Sequence, residues 1–167
     1  MKIKAINIQI SVLFLSLCIF LNGCGLVTHP SDIDFEQRLG SKEKGFNRLA
    51  AMLSEDLNVV RLDNGNLFLN DDSKPGLTRD RLAEYRDLFR ELSLENGIHR
   101  DNPHQVRLIV STKGLVSPSS EKSFAYSTEK PAPLVDSIDG IVRKDNAEQS
   151  PVYKSLGGNW YIFYEQW

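Results

Sequence analysis

The chain has 167 residues, with 20 Lys and Arg against 22 Asp and Glu, a formal net charge of −2 at pH 7, and two cysteines. A nucleic-acid-binding domain shows a basic patch or a strongly basic composition, so this balance argues against nucleic acid as a partner. The length allows one domain with its own hydrophobic core and is too short for two ordinary ones.

The first residues have the composition of an export signal. Lys2 and Lys4 form a positive start, and Ile10 to Leu21 is an uncharged run of 12 residues, the size of a signal-peptide core. The alternative is a short transmembrane or buried core helix. A spanning helix needs roughly 20 apolar residues, and Asn22 and Gly23 interrupt this run earlier.

The end of the run, Leu21-Asn22-Gly23-Cys24, resembles the lipobox of bacterial lipoproteins, in which a Gly or Ala precedes an invariant cysteine. Asn22 departs from the commoner Ala, Ser or Thr. The resemblance implies that residues 1–23 are a cleaved signal peptide and that Cys24 carries covalent lipid such as palmitate, with no other cofactor. Because Gly25 rather than Asp follows the cysteine, it also implies an outer-membrane location facing the periplasm.

The processing that this resemblance implies would change the charge and remove the thiols. Residues 1–23 contain Lys2 and Lys4 but no acid, so 18 basic residues face 22 acidic ones, a charge of −4. Cys18 leaves with the signal and Cys24 is blocked, so we expect no disulfide, thiolate nucleophile or cysteine metal site. Residues 24–33 are predicted to be a short leash and 34–167 a single globular domain. The stretch from 25 to 31 reaches at most about 25 Å, so the domain stays near the membrane.

The first predicted element is helical. Apolar residues from Asp34 onward share one face of a helix at 100° per residue. These residues are Phe35, Leu39, Phe46, Leu49, Leu53 and Leu57. Gly40 and Gly45 weaken the helix, which predicts either a kink or a firm helix only from about Lys44 to Leu57.

A hairpin follows. Val59 to Leu62 and Leu67 to Leu69 flank Asn64-Gly65, the turn sequence that most favours a two-residue hairpin loop. The alternative reading of Asp63 to Asn66 is a calcium loop, but the glycine and glutamate that an EF-hand requires further on are missing.

The second predicted helix starts at an N-cap, Thr78, and ends near Asn96-Gly97. Its apolar stripe faces a core, and its exposed side is sorted by charge. The basic stripe is Arg79, Arg86 and Arg90, and the acidic one is Asp80, Glu84, Asp87 and Glu91. We hypothesise that one stripe docks a partner of opposite charge. The alternative is a solvated face whose charges are met by nearby loops.

The next segments alternate as strands do. Val106 to Val110 and Phe124 to Tyr126 each have an apolar face. The serine-rich stretch between them, Lys113 to Lys122, is predicted to be an exposed loop.

The last third continues the sheet. Leu134 to Ile138 and Ile141 to Arg143 are predicted to form a minor hairpin. Val152 to Leu156 and Trp160 to Trp167 form another, and the second of these strands is apolar on both faces. Such a strand belongs in the middle of a sheet, although an aromatic ligand platform is the functional alternative.

No catalytic motif is complete. His99-Arg100-Asp101 matches part of the kinase catalytic loop, but Val106 stands where that loop needs Asn. His99, Asp101 and His104 together offer metal ligands from one predicted polar loop, and a plain solvated loop is the alternative. Ser117 does not lie in the G-x-S-x-G turn of hydrolases.

These observations predict an α+β domain, an antiparallel or mixed sheet of five to seven strands with two amphipathic helices packed on one face. They favour a lipid-anchored, extracytoplasmic, non-catalytic binding module with a protein partner in the envelope, of the toxin-immunity or inhibitor kind by analogy. The alternative is an envelope-acting hydrolase or metal-binding protein that uses the loop from His99 to His104.

Overall fold

A computed structural model of the chain describes residues 28–63, 66–70, 76–94, 96–114, 119–141 and 151–167. The helices are α1 (Asp32–Ser41), α2 (Glu43–Glu55) and α3 (Arg79–Leu92). The strands are β1 (Val59–Leu62), β2 (Leu67–Leu69), β3 (Ile98–Asn102), β4 (Gln105–Lys113), β5 (Ser120–Ser127), β6 (Val152–Gly157) and β7 (Trp160–Gln166). All seven form one antiparallel sheet in the order β2-β1-β3-β4-β5-β7-β6. The predicted α+β class is confirmed.

The helices cover one face of this sheet. A row of residues opposite one another across five strands, Leu62, Ile98, Leu108, Phe124 and Ile162, is buried there. The Phe124 ring lies 4.6 Å from the ring centroids of both Phe35 of α1 and Phe46 of α2. Because side chains alternate along a strand, the intervening residues point to the other face. On that face no helix of the described chain packs.

The first predicted helix is divided into α1 and α2 at Lys42, so the kinked alternative is the one observed. The described residues therefore contain three helices instead of two. Ser31 begins α1 with a capping box in which its hydroxyl and the Asp34 carboxylate satisfy each other's backbone N–H groups. A Cβ at Gly45 would lie 2.8 Å from Glu91 Oε1 and 2.9 Å from Leu92 Cδ2. The glycine that weakens α2 therefore allows it to approach α3 closely.

The hairpin β1–β2 and the cap of α3 agree with prediction, and the end of α3 does not. Leu62 pairs with Leu67, while residues 64 and 65 lie outside the described residues. Thr78 Oγ1 accepts from the Arg81 N–H at 3.2 Å. The helix stops at Leu92, before the predicted Asn96-Gly97, because Ser93 adopts a left-handed conformation with φ of 58°.

Two predicted segments are corrected. Lys113 to Lys122 is not an exposed loop throughout: β4 runs to Lys113, β5 starts at Ser120, and Lys122 is buried because acidic groups surround it. Of that stretch, residues 115–118, including Ser117, lie outside the described residues.

Instead of a minor hairpin, Leu134 bridges to Tyr153 at the sheet edge, and residues 142 and 143 are not described. The position of β7 inside the sheet, between β5 and β6, is confirmed.

Part of the segment assigned to the leash contacts the sheet. His29 lies 2.9 Å from Ser111 Oγ and 2.8 Å from Ser120 Oγ through its two ring nitrogens. Burial, followed by the charges of Lys113 and Lys122, lowers the pKa of His29 to about 4. Ordered packing thus begins before residue 34. Within the described ranges, no helix is both long and apolar enough to cross a membrane.

Candidate functional site

The helix-free face of the sheet carries a row of exposed and half-buried side chains across its first four strands. Phe68 of β2 is opposite Arg61 of β1, Arg61 is opposite His99 of β3, and His99 is opposite Arg107 of β4. Directly opposed residues on one face are close enough to interact. The Arg61 guanidinium lies 6.0 Å from the Phe68 ring centroid, and Phe68 is 52% exposed. An aromatic and a cation therefore meet at the outer edge of this face.

Arg107 is the centre of the polar part of the face. Its Nε lies 2.9 Å from both carboxylate oxygens of Asp101, and its Nη1 lies 3.0 Å from Glu121 Oε1. Its Nη2 lies 3.0 Å from His99 Nδ1, and the guanidinium carbon lies 4.7 Å from the Phe163 ring centroid. Burial opposes the charge, but Glu121 and Asp101 raise the pKa of Arg107. One permanent cation thus joins strands β3, β4, β5 and β7.

An aromatic floor adjoins Arg107 on the side of β6. It consists of Ala125, Tyr153, Tyr161 and Phe163, all buried although no described helix covers them. The Tyr153 and Phe163 rings meet edge to face with centroids 5.5 Å apart. Gln105 Nε2 donates to the Tyr153 hydroxyl at 3.1 Å and to Asp101 Oδ2 at 3.0 Å. The floor is therefore bonded to the same carboxylate that holds Arg107.

A cleft of about 600 Å³ opens beside this network. It is lined by Arg61, Asp63, Asn96, His99, Arg107, Ile109, Thr112, Glu121, Glu165 and Trp167. The carboxylates among these residues are Asp63, Glu121 and Glu165. Three carboxylates face two guanidinium groups, so the lining has a formal excess of one negative charge, counting histidine as neutral. Such a surface attracts cationic groups.

The structure keeps two of the predicted metal ligands, His99 and Asp101, together and places His104 apart from them. His99 and Asp101 belong to strand β3 rather than to a loop, and His99 Nδ1 lies 3.1 Å from Asp101 Oδ1. His104 lies in the turn after β3, with its ring 3.3 Å from Thr128 Oγ1 and 3.5 Å from Glu129 Oε1. The loop prediction is wrong, because Ile98 to Asn102 pairs with both β1 and β4. In the described part of the chain, no three His, Cys, Asp or Glu side chains are grouped to hold a metal ion.

The charged stripes of α3 are partly paired within the domain. Glu84 accepts from Arg48 of α2 and from Arg81, and Asp87 pairs with Arg90. Lys42 donates to the main-chain carbonyl of Glu91. Arg79, Asp80 and Arg86 are exposed and make no ion pair among the residues described. Docking of a partner by this helix stays a prediction.

Arg107 and Glu121 were not predicted as site residues. Their signal in the sequence is weak, since Arg107 is simply the polar member of an alternating strand and Glu121 lies in a predicted loop. Their meeting depends on the register that places Arg107 beside Ala125 and Thr112 beside Glu121. A shift of one residue would turn either side chain to the opposite face.

Comparison with known proteins finds no match to a protein family, to a curated protein or to a solved structure. The class of protein is therefore defined by the geometry alone: a helix-backed antiparallel sheet with one open face, on which an ion-paired arginine adjoins an aromatic floor.

Proposed function

We propose that this chain is a lipid-anchored, extracytoplasmic, non-catalytic binding module, held in the envelope through Cys24, whose helix-free sheet face binds a protein partner. Gly25, the residue after the cysteine, supports an outer-membrane location facing the periplasm. By analogy with small anchored proteins, the partner is an incoming toxin that the module neutralises or a wall enzyme that it inhibits.

The observation that carries this proposal is the composition of the open face. Arginine and aromatic residues are the side chains most enriched in the energetic centres of protein interfaces. On this face Arg107 adjoins a preformed aromatic floor, and Arg61 lies beside the exposed Phe68 ring toward the β2 edge. Cross-strand hydrogen bonds hold Arg107 in place, so little side-chain entropy is lost when a partner binds.

The charge of the cleft selects the kind of partner. Its excess of carboxylates fits a protein that presents a basic patch, because complementary charge speeds encounter and rejects wrong partners. Carboxylates of both surfaces have arginine partners in the domain, Glu121 in the cleft and Glu84 and Asp87 on α3. We prefer the sheet face as the binding surface because it combines its charge with the aromatic floor beside Arg107.

Site-specific cross-linking in the native envelope tests the proposal. A photo-reactive residue in place of Phe68 on the open face is compared with one in place of Ile33 on α1, which is similarly exposed at 60%. We expect a discrete protein adduct from position 68 and none from position 33. Equal adducts from both positions, or none from either, would contradict the assignment of this face.

Charge reversal then tests the chemistry of the captured partner. Glu165→Lys in the cleft should weaken the adduct strongly, and the loss should be greatest at low salt, where charges are least screened. Asp80→Lys on α3 is the matched control, because Asp80 is exposed and has no ion pair among the described residues. If Asp80→Lys abolishes the adduct and Glu165→Lys does not, the helix is the interface. Bound metal without any protein adduct would favour the hydrolase.

A further inference from the structure

We propose that the domain stands end-on to the membrane, with the end of the sheet that carries Lys113, Ser119 and Trp167 on the lipid surface and the Trp167 indole at the interface. This inference rests on the proposed acylation of Cys24 and adds the orientation that acylation alone leaves open.

The described chain enters the domain at this end of the sheet. The His29 ring lies within hydrogen-bonding distance of Ser111, near the end of β4, and of Ser120, at the start of β5. The same ring meets Tyr164 edge-on with centroids 5.9 Å apart. Lys122 Nζ donates to the carbonyl of Pro30 at 2.8 Å. These contacts fix the point from which the lipid-bearing segment leaves.

The length of that segment limits which surface reaches the membrane. From Cys24 to Thr28 there are four residue steps, which extend at most about 14 Å. A strand of seven residues such as β7 is itself about 23 Å long. The opposite end of the sheet, with the turn after β3 and Asn159, is therefore too far from the anchor to face the lipid.

Trp167 suits an interfacial position. It is 44% exposed, and its backbone N–H and carbonyl bond to Ser119 at 2.8 Å and 2.7 Å, so its backbone is held at the end of the sheet. Indole rings have an apolar body and one polar N–H, and tryptophan is enriched at membrane–water interfaces for that reason. Trp160, at the other end of β7, is 7% exposed and packs on Phe46 and Tyr126.

The end-on orientation has a consequence for the cleft. Trp167 lines the cleft at its membrane end, while Arg107 lies about six residues, or roughly 20 Å, further along the sheet. The open face therefore stands upright beside the bilayer, and a bound partner is held close to the membrane without the face being covered by lipid.

The test is tryptophan fluorescence of the full mature lipoprotein in phosphatidylcholine vesicles with brominated or unbrominated acyl chains. Bromine quenches only tryptophan at or within the bilayer. Because the sequence has two tryptophans, Trp160→Phe reports on Trp167 and Trp167→Phe reports on Trp160. A third chain carries Phe68→Trp with both natural tryptophans replaced by Phe, and reports on the open face. If Trp160→Phe does not fold, the difference between the wild-type chain and Trp167→Phe gives the signal of Trp167, and Phe68→Trp with Trp167→Phe, compared with Trp167→Phe alone, gives that of position 68.

We expect bromine-dependent loss of fluorescence and a blue shift for Trp167, and no loss for Trp160 or for tryptophan at position 68. Equal quenching at positions 68 and 167 would mean that the domain lies flat, and would overturn the inference. Absence of quenching at Trp167 in protein whose acyl mass is confirmed would overturn it too, while the anchor stands. Protein that lacks acyl mass and extracts with high salt would refute the proposed anchoring and the orientation together.

Discussion

Replacing Lys122 by Met should remove a large part of the stability of the domain. The Lys122 side chain is 3% exposed, and its Nζ lies 2.8 Å from Asp32 Oδ1 and 2.7 Å from Asp139 Oδ1. Asp32 is equally buried, and its carboxylate also accepts from the Ile138 N–H at 2.9 Å. The pair ties the start of α1 to β5, next to Pro30, whose carbonyl also accepts from Lys122.

The size of the stability loss follows from the Asp32 charge, which stays buried after Lys122 is replaced. Removing one partner of a buried ion pair costs about 3–5 kcal/mol. Asp32 keeps Lys154 at 3.3 Å, so we expect the lower end, about 3 kcal/mol. Asp139 is 43% exposed, and loss of its pair contributes at most about 1 kcal/mol. Against a total of roughly 5–15 kcal/mol, the variant still folds but unfolds at clearly lower denaturant.

Urea unfolding at pH 7 measures this effect, with Lys44→Met as the exposed control, expected within about 0.5 kcal/mol of wild type. The double variant Lys122→Met with Asp32→Asn should recover part of the loss, because the unpaired charge is gone. If Lys122→Met changes stability by less than about 0.5 kcal/mol, the buried pair contributes nothing and the reasoning is refuted.

The same pair has a pH signature. Burial would raise the pKa of the Asp32 carboxyl, but the hydrogen bonds from Lys122, Ile138 and Ser137 outweigh it, and the pKa lies below its ordinary value. Its contribution is therefore complete above the unfolded pKa of about 3.9 and is lost as the pH falls below that value. Lys122→Met should flatten this acid-side loss.

Three further predictions concern other parts of the fold. Since the pKa of His29 is lowered to about 4, the stability of the domain should fall as the pH drops from about 6.5 to 4. Thermal melts at several pH values measure this slope, and His29→Gln should remove it. Gly97→Ala should cost about 3 kcal/mol or more, because φ is +70° and the new Cβ would lie 2.0 Å from a carbonyl oxygen. Gly158→Ala, with positive φ but nothing within 4 Å, should cost only about 1–2 kcal/mol, and equal losses would contradict the clash. Tyr85→Phe should cost about 1.5–3 kcal/mol in urea unfolding, because the buried hydroxyl donates to Asp56 Oδ2 at 2.9 Å; an unchanged midpoint would refute that contribution.

Local patterns were sufficient for most elements of the fold. The helical periodicity from Phe35 onward, the Asn-Gly turn signal and the strand apolar on both faces depend on neighbours within a few residues. Each of these led to a confirmed helix, hairpin or internal strand. The end of α3 was predicted too late in the sequence, near Asn96-Gly97, because the left-handed residue that ends a helix is usually a glycine. In this chain Ser93 adopts that conformation.

The candidate site was decided by contacts distant in sequence. Lys122 belonged to a serine-rich stretch that reads as solvated, yet Asp32 neutralises it and it is buried. His99 and His104 are close in sequence, but strand pairing fixes His99 on the open face, whereas His104 lies in the turn and contacts the segment after β5.

The sequence by itself determined the α+β class, the two-layer plan and the expectation of a lipid anchor, because composition and periodicity are properties of short segments. Only the tertiary structure decided that Arg107 meets Asp101, Glu121 and Phe163 on a helix-free face. The register between paired strands has a period of two residues and is set by packing over the whole sheet. A polar residue in a strand therefore acquires its neighbours, and with them its chemistry, only when the sheet has formed.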